Sequence, residues 1–423
     1  MKSVIRLVCT YPEFGEIYSE IAGFRRDTKE LTGMFRKEIE EHLKNHILPF
    51  WMGIKDEDNG GFYGYMDFDL NLDKNAVKGC ILNSRILWFF STCAFLLKDD
   101  AYLEYASHAY EFLKKVFIDK KEGGVFWSVT YDGKPLDTSK HTYCQAFAIY
   151  GLAAYYRVSK NEESIKIASM LARVIEEKCR DREGYLEAFN ADFTPASNEK
   201  LSENGVIAER TMNTLLHVFE AYTELYDVTG DKETAERMKE ILSIFKDRMY
   251  NPAKHRQEVF FDRDYKPLLD LISYGHDIET AWLIDRGLEV LHDKEWCAKM
   301  APLTADLADN ILKNAFDGHS LPQECEDGKV NEDRVWWVQA ETVNGFLNEY
   351  LKDRSREKYK TALLAEWEYI KQNVVDKRQG GEWYSQLDGD GKPYEDKPAV
   401  EPWKCPYHNG RMCLEVIRRN VDF

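Results

Sequence analysis

The chain has 423 residues, 44% of them hydrophobic and 31% charged, and carries a net charge of -17. That length fits either two domains or one large closed architecture. So acidic a balance argues against non-specific binding to nucleic acid or to an anionic membrane surface.

Taken in order, the first apolar stretch, Val4-Ile-Arg-Leu-Val-Cys9, is broken by Arg6 and lacks a small-residue cleavage site, so it does not read as a signal peptide. Residues 1–28 have no clear periodicity and are expected to form an appended arm. Residues 29–423 are expected to form a single catalytic domain. From Thr28 onward helical spacing predicts twelve segments, at 28–50, 80–98, 100–117, 142–158, 161–178, 210–228, 232–249, 275–291, 295–315, 334–352, 356–374 and 407–418. Between them a loop recurs roughly every sixty residues, built from glycines, aromatics and acidic groups. Asp58-Asn-Gly-Gly-Phe-Tyr-Gly-Tyr65, Glu122-Gly-Gly-Val-Phe-Trp127, Arg182-Glu-Gly-Tyr-Leu-Glu187 and Gly380-Gly-Glu-Trp-Tyr384 are its clear copies. Gln257–Asp262 and Gly318–Gln323 are divergent ones. Alternation around Asp132-Gly133 and Gly389-Asp-Gly391 reads as short β-hairpins.

Twelve antiparallel helices with no Pro/Ser-rich linker predict an all-α, (α/α)6 barrel, a toroid of twelve helices with short β-hairpin loops. No run of roughly 18 apolar residues is present, so no membrane span is expected. The nine cysteines include no Cys-x-x-Cys pair. They read as reduced thiols of a cytoplasmic protein, not as a disulfide framework or zinc site.

In such a barrel a ligand binds in the funnel where the inner helices begin, and there the unusual residues gather. Arg85 heads an apolar run and can pin an oxygen-rich ligand. Tyr143 can meet hydroxyls. Asn213 and His217 lie at i,i+4 on one helical face. Ser273-Tyr-Gly-His-Asp-Ile-Glu279 places His276 and Glu279 at i,i+3, a histidine beside a carboxylate able to fix its tautomer. The same pair also arises as an ordinary N-terminal charge arrangement. Arg334-Val-Trp-Trp-Val-Gln-Ala-Glu341 offers Trp336 and Trp337 as a stacking platform, with Glu341 one turn along. Trp403-Lys-Cys-Pro-Tyr-His-Asn-Gly-Arg411 brings Trp403, His408 and Arg411 to one helix mouth. Four chemistries compete for this set. A metal site of three histidines and a glutamate would need ligands from distant segments. A glycosidase would use Glu279 and Glu341 as facing carboxylates. A sugar-binding protein would use only the tryptophans. Acid–base chemistry beside a carbonyl needs a base, an acid and cations for an enediolate, which two histidines and an arginine supply without a cofactor.

Those three strings, with Asn59-Gly-Gly-Phe-Tyr-Gly-Tyr65, Ser84-Arg-Ile-Leu-Trp-Phe-Phe90 and Met212-Asn-Thr-Leu-Leu-His217, resemble the signatures of cellobiose 2-epimerases, within the N-acylglucosamine 2-epimerase superfamily. The likeness runs in order from about residue 30 to the C-terminus. It implies interconversion of glucose and mannose at the reducing end of a β-1,4-disaccharide, with no metal or cofactor. It also implies His276 and His408 as the acid/base pair, His217 assisting, and Glu279 supporting His276. Arg85 and Arg411 would stabilise developing charge, Asn213, Tyr143 and Glu341 would bind hydroxyls, and Trp337 and Trp403, with Trp336 adjacent, would hold the sugar rings. Monosaccharide 2-epimerases and aldose–ketose isomerases share the two histidines. A monomer without macromolecular partners is expected.

Overall fold

Two kinds of helix alternate along the chain, and their burial explains the alternation. The computed structural model describes residues 35–201, 204–421 and 423; the arm expected at 1–28 lies outside the described residues. Helix α1 runs Phe35–His42, passes through a π-helical turn at Leu43–Ile47 and ends with Leu48–Gly53. It is followed by α2 (Cys80–Leu97), α3 (Asp100–Phe112), α4 (Thr142–Ser159), α5 (Glu162–Lys178) and α6 (Met212–Thr229). Then come α7 (Lys232–Ile244), α8 (Tyr274–Leu291), α9 (Lys294–Asn314), α10 (Trp336–Lys352), α11 (Glu357–Tyr369) and α12 (His408–Arg419). Helices α3, α7 and α11 each continue into a one-turn π-helical ending.

The odd-numbered helices are amphipathic. Helix α5, for example, buries Ser164, Ala168, Leu171, Val174 and Ile175, a single stripe at helical spacing. The even-numbered helices are buried nearly all round, and α4 is buried without a break from Thr142 to Tyr155. A helix buried in this way needs neighbours on every side. The even helices find them by packing α2 on α4, α4 on α6, α6 on α8, α8 on α10, α10 on α12 and α12 back on α2. This is the (α/α)6 barrel, with the odd helices outside. Helix α2 is long and apolar enough by composition to cross a membrane, but 78% of it is buried within the ring.

Four of the inner–outer hairpins turn in the same way. The inner helix stops at a residue in the left-handed region, and the next side chain caps the outer helix. Lys98, Lys160, Gly230 and His292 have φ between 52° and 65°, and Asp99, Asn161, Asp231 and Asp293 accept backbone N–H bonds from the first turn that follows.

Short antiparallel strands fasten the opposite end. The pair of residues ahead of each inner helix bonds to the loop after the next outer helix: Lys78 with Val129, Lys140 with Phe189, Arg210 with Phe261, Leu271 with Glu326 and Arg334 with Leu387. Val400 bonds back to Met66, which closes the circle. The hairpins expected around Asp132-Gly133 and Gly389–Gly391 form, through Ser128–Val129 with Pro135–Asp137 and through Leu387 with Pro393.

Two polar devices recur in these loops. In the first, a cation heading the inner helix is buried against the aspartate of the preceding loop: Lys78 with Asp56 at 2.6 Å, Lys140 with Asp119 at 2.7 Å, Arg210 with Asp181 at 2.7 Å and Arg334 with Asp317 at 2.8 Å. Lys404 pairs likewise with Glu382. Burial alone would raise the Asp56 carboxyl, but Lys78 and the turn N–H groups hold it below its ordinary value. In the second, the fourth residue of the inner helix clips the loop backbone. The Phe62 N–H donates to Asn83 Oδ1 and the Val125 N–H to Gln145 Oε1, while the Leu321 N–H donates to Gln339 Oε1.

Candidate functional site

Because the inner helices share one register, residues at equal depth form layers across the barrel. Arg85, Phe147, His217, Glu279 and Glu341 are each the sixth residue of their helix, and Arg411 joins them at the same depth through its contacts. Its guanidinium donates to Glu220, Glu279 and Glu341, the last at 2.7 Å. These side chains form the floor of the funnel, and all are buried. Behind Glu220 and Arg411, towards the far end of the barrel, is a cavity of about 130 Å³.

One turn above the floor lie the two histidines. The His276 and His408 rings both pack on Trp337, with centroids 4.6 and 5.5 Å away. Both rings make their hydrogen bonds through Nδ1: His276 with Ser273 Oγ at 2.7 Å, and His408 with Glu341 Oε1 at 2.8 Å. Burial, and then the neighbouring His217, lowers His276 to about 3. Burial, Arg411 and Arg85 put His408 well below its usual value. Both imidazoles are therefore neutral at neutral pH, with a ring nitrogen able to accept a proton.

His217 occupies the neighbouring wall. Its Nδ1 bonds Glu220 Oε2 at 2.9 Å, its ring is 5.1 Å from that of Tyr143, and burial lowers it to about 4. Arg85 donates to the Tyr143 hydroxyl at 2.8 Å and lies over the Phe147 and Tyr407 rings at 4.1 and 4.5 Å. Trp403 is 5.9 Å from Tyr143 and 6.0 Å from Trp127, so three aromatic side chains form one side of the entrance. Arg85 Nε, Asn213 Oδ1 and Trp336 Nε1 are enclosed polar atoms without a protein hydrogen-bond partner.

This fold and motif set match the N-acylglucosamine 2-epimerase (GlcNAc 2-epimerase) family over residues 61–409. The chain belongs to the N-acylglucosamine 2-epimerase family. It is 49% identical over 405 residues to a cellobiose 2-epimerase of Eubacterium cellulosolvens, covering 92% of this chain and 100% of that one. A cellobiose 2-epimerase of Ruminococcus albus is 47% identical over 389 residues, with the same coverage of each chain. The crystal structure of a sugar epimerase from a ruminal bacterium superposes with a TM-score of 0.91 at 46% identity, over 92% of this chain and 100% of that one.

Several side chains of this epimerase-family enzyme stand in relations that helical spacing alone did not predict. Glu279 does not touch His276; the partner of His276 is Ser273, three residues back. Glu279 bonds Arg411 and lies 3.9 Å from His408 Nδ1, because the sixth position points down to the floor while His276 lies one turn higher. Glu341, expected to bind hydroxyls, has both oxygens occupied, by His408 and Arg411 on one side and by Trp282 Nε1 at 2.9 Å on the other. Arg411, expected to stabilise developing charge, spends its Nη atoms on the three carboxylates and on Tyr407. It is the counter-ion of the floor.

The floor's electrostatics follow from one cation among three acids. Although burial pushes Glu220 up, Arg411 and His217 overcome it and hold Glu220 at about 2. Burial raises Glu279 and Glu341; Glu341 raises Glu279 further and Glu220 raises Glu341, against the opposing charge of Arg411, so the pair retains a proton where exposed carboxylates would not. Glu279, Glu341 and His408 are close enough to ligate a divalent ion, but Arg411 Nη2 already donates to both carboxylates and holds that position. The donor set therefore suits a fixed organic cation.

Sequence reasoning overlooked Tyr407, Glu220 and Trp282. Tyr407 lies within the quoted Trp403–Arg411 string, and its hydroxyl joins Arg411 to Glu220. Glu220 and Trp282 follow His217 and Glu279 by three residues, the spacing at which a helix brings a partner beneath. That spacing was the available signal.

Proposed function

We propose that the chain is a cofactor-independent 2-epimerase of β-1,4-linked disaccharides. It would interconvert the glucose and mannose configurations at C2 of the reducing-end residue, cellobiose with 4-O-β-glucosyl-mannose and lactose with epilactose. The reading is carried by the His276–Trp337–His408 arrangement, two neutral imidazoles on one indole. With His408 Nδ1–H donating to Glu341, its Nε2 is left as a base. One imidazole takes the C2 proton after ring opening, and the electron pair moves onto the carbonyl oxygen to give a planar enediolate. Return of a proton to the opposite face of C2 inverts the centre and regenerates the carbonyl. Arg85 is the floor's second positive charge, and it donates to the Tyr143 hydroxyl rather than being enclosed by carboxylates as Arg411 is. The unpaired atoms of Asn213 and Trp336 suit hydroxyls, and Trp127, Trp403 and Trp337 provide ring surfaces for two sugar units. Glu279 and Glu341 converge on one guanidinium, which favours a fixed proton-sharing pair over the two separated carboxyls of a glycosidase.

The same reading takes the enzyme as a cytoplasmic monomer. The eight cysteines among the described residues are all free thiols, which supports a reducing compartment.

The test is an incubation of cellobiose in deuterated water with EDTA present, following the reducing-end C2 signal by NMR. A mannose-type reducing end carrying deuterium at C2 is expected, and His276→Ala and His408→Ala should each lower the rate by about 10²-fold or more with the helical signal intact. Free glucose would mean hydrolysis, and exchange with monosaccharides alone would mean a smaller substrate. Full activity in the His408 variant would remove that ring from the chemistry.

A further inference from the structure

The clip at the fourth position of the inner helix is made by an amide in three repeats. Asn83, Gln145 and Gln339 each accept from the loop backbone through oxygen and also donate through nitrogen: Asn83 Nδ2 to the Gly79 carbonyl at 3.1 Å, Gln145 Nε2 to the Val125 carbonyl at 3.0 Å, and Gln339 Nε2 to the Leu321 carbonyl at 2.8 Å. In α8 the same position holds Asp277, next to His276. Asp277 is buried, and its Oδ1 accepts from the Gln257 backbone N–H and from Gln257 Nε2, both at 3.2 Å. The other oxygen, Oδ2, is buried with no partner, and so is Gln257 Oε1. Two enclosed acceptors left without a donor would cost about 1–3 kcal/mol each. One proton on the carboxyl removes the mismatch, with the Gln257 amide turned to receive it if necessary.

We infer that Asp277 is held as a neutral carboxylic acid, the protonated counterpart of the amide clips, and is a positioning residue that seats the first turn of α8 and with it His276. The surroundings agree. Burial raises the Asp277 carboxyl to about 7, against the opposing bonds from Gln257 and the charge of Arg256. Arg256 is itself engaged by Glu258 at 2.9 Å and by Asp270, so its charge is largely spent. Glu258, Tyr250 and Tyr274 are the other titratable groups that feel Asp277. The folded carboxyl thus binds its proton more tightly than an unfolded aspartate does. Its effect on stability is absent below the unfolded value near 4, becomes increasingly unfavourable as pH rises towards 7, and is constant above that.

The consequence for activity rests on His276 acting as proposed above; the thermal consequence does not. The experiment compares the parent with Asp277→Asn, which makes the clip an amide. The melting temperature of the variant should exceed the parent's by a margin that widens from pH 5 to 7 and stays level above 8. The infrared carbonyl stretch of one protonated carboxylic acid present at pH 6 should be missing from the variant. C2 exchange at pH 6 should be retained. A margin that does not change with pH, or an unchanged carboxylic-acid band, would overturn the assignment even if no substrate is found for either protein. Loss of exchange with the melting and infrared changes as expected would overturn the positioning role alone.

Discussion

At the scale of single residues the site depends on Trp337, the ring shared by both histidines. The indole is held against α8 because residue 275 has no side chain. A Cβ built on Gly275 would lie 2.6 Å from two Trp337 ring atoms and 2.8 Å from Val338, well inside contact distance. Gly275→Ala should therefore displace Trp337 and, with it, the spacing of His276 and His408. Alanine is the better helix former by about 1 kcal/mol, so the helix itself gains what the clash costs. The expected outcome is a fall in kcat of roughly 10- to 100-fold with a melting temperature close to the parent's. Steady-state kinetics beside a thermal melt would check it; unchanged kcat would mean that Trp337 can shift without consequence. The identities of His276, His408 and Trp337 were legible from the Ser273–Glu279, Arg334–Glu341 and Trp403–Arg411 strings. Their partners were not. Sequence spacing paired His276 with Glu279, whereas the fold assigns it Ser273 and sends Glu279 to Arg411 on α12.

At the scale of elements, a buried cation ahead of five of the inner helices links a loop to the helix that follows it. Lys78 and Asp56 have no side-chain exposure and meet at 2.6 Å, and Lys78 Nζ also donates to the Gly60 carbonyl at 2.7 Å. Removing one member leaves the other charged and without a partner. Lys78→Met is expected to destabilise the protein by about 3–5 kcal/mol, and a second change, Asp56→Asn, to restore part of it. Denaturant melts of the two variants and the parent would measure this, and strictly additive losses would argue against the pairing. Helix limits were readable to within a residue or two for most elements, since 80–98, 232–249 and 275–291 were all expected close to where α2, α7 and α8 run. The π-helical endings of α3, α7 and α11 were not, because a wide turn leaves no mark in the apolar spacing that predicts a helix.

At the scale of the molecule, the ring closes on itself. Helix α12 packs on α2, Val400 bonds to Met66, and Phe35 of α1 lies 5.4 Å from Phe423 at the other end of the chain. The floor draws Glu220, Glu279, Glu341 and Arg411 from four inner helices of one chain, so no second copy is needed to complete it. Light scattering of the active enzyme is expected to give the mass of one chain, 49.4 kDa; activity confined to a dimer would contradict this. The sequence by itself determined the alternation of inner and outer helices, the recurring loops and the residue types at the funnel mouth, because periodicity and turn chemistry are local and repeat along the chain. Only the tertiary structure decided which carboxylate serves which cation, that Arg411 is a counter-ion enclosed by three acids, and that Asp277 stands where other repeats place an amide. Those facts depend on depth along the barrel axis and on burial, which bring together residues far apart in the chain and change their protonation once water is excluded.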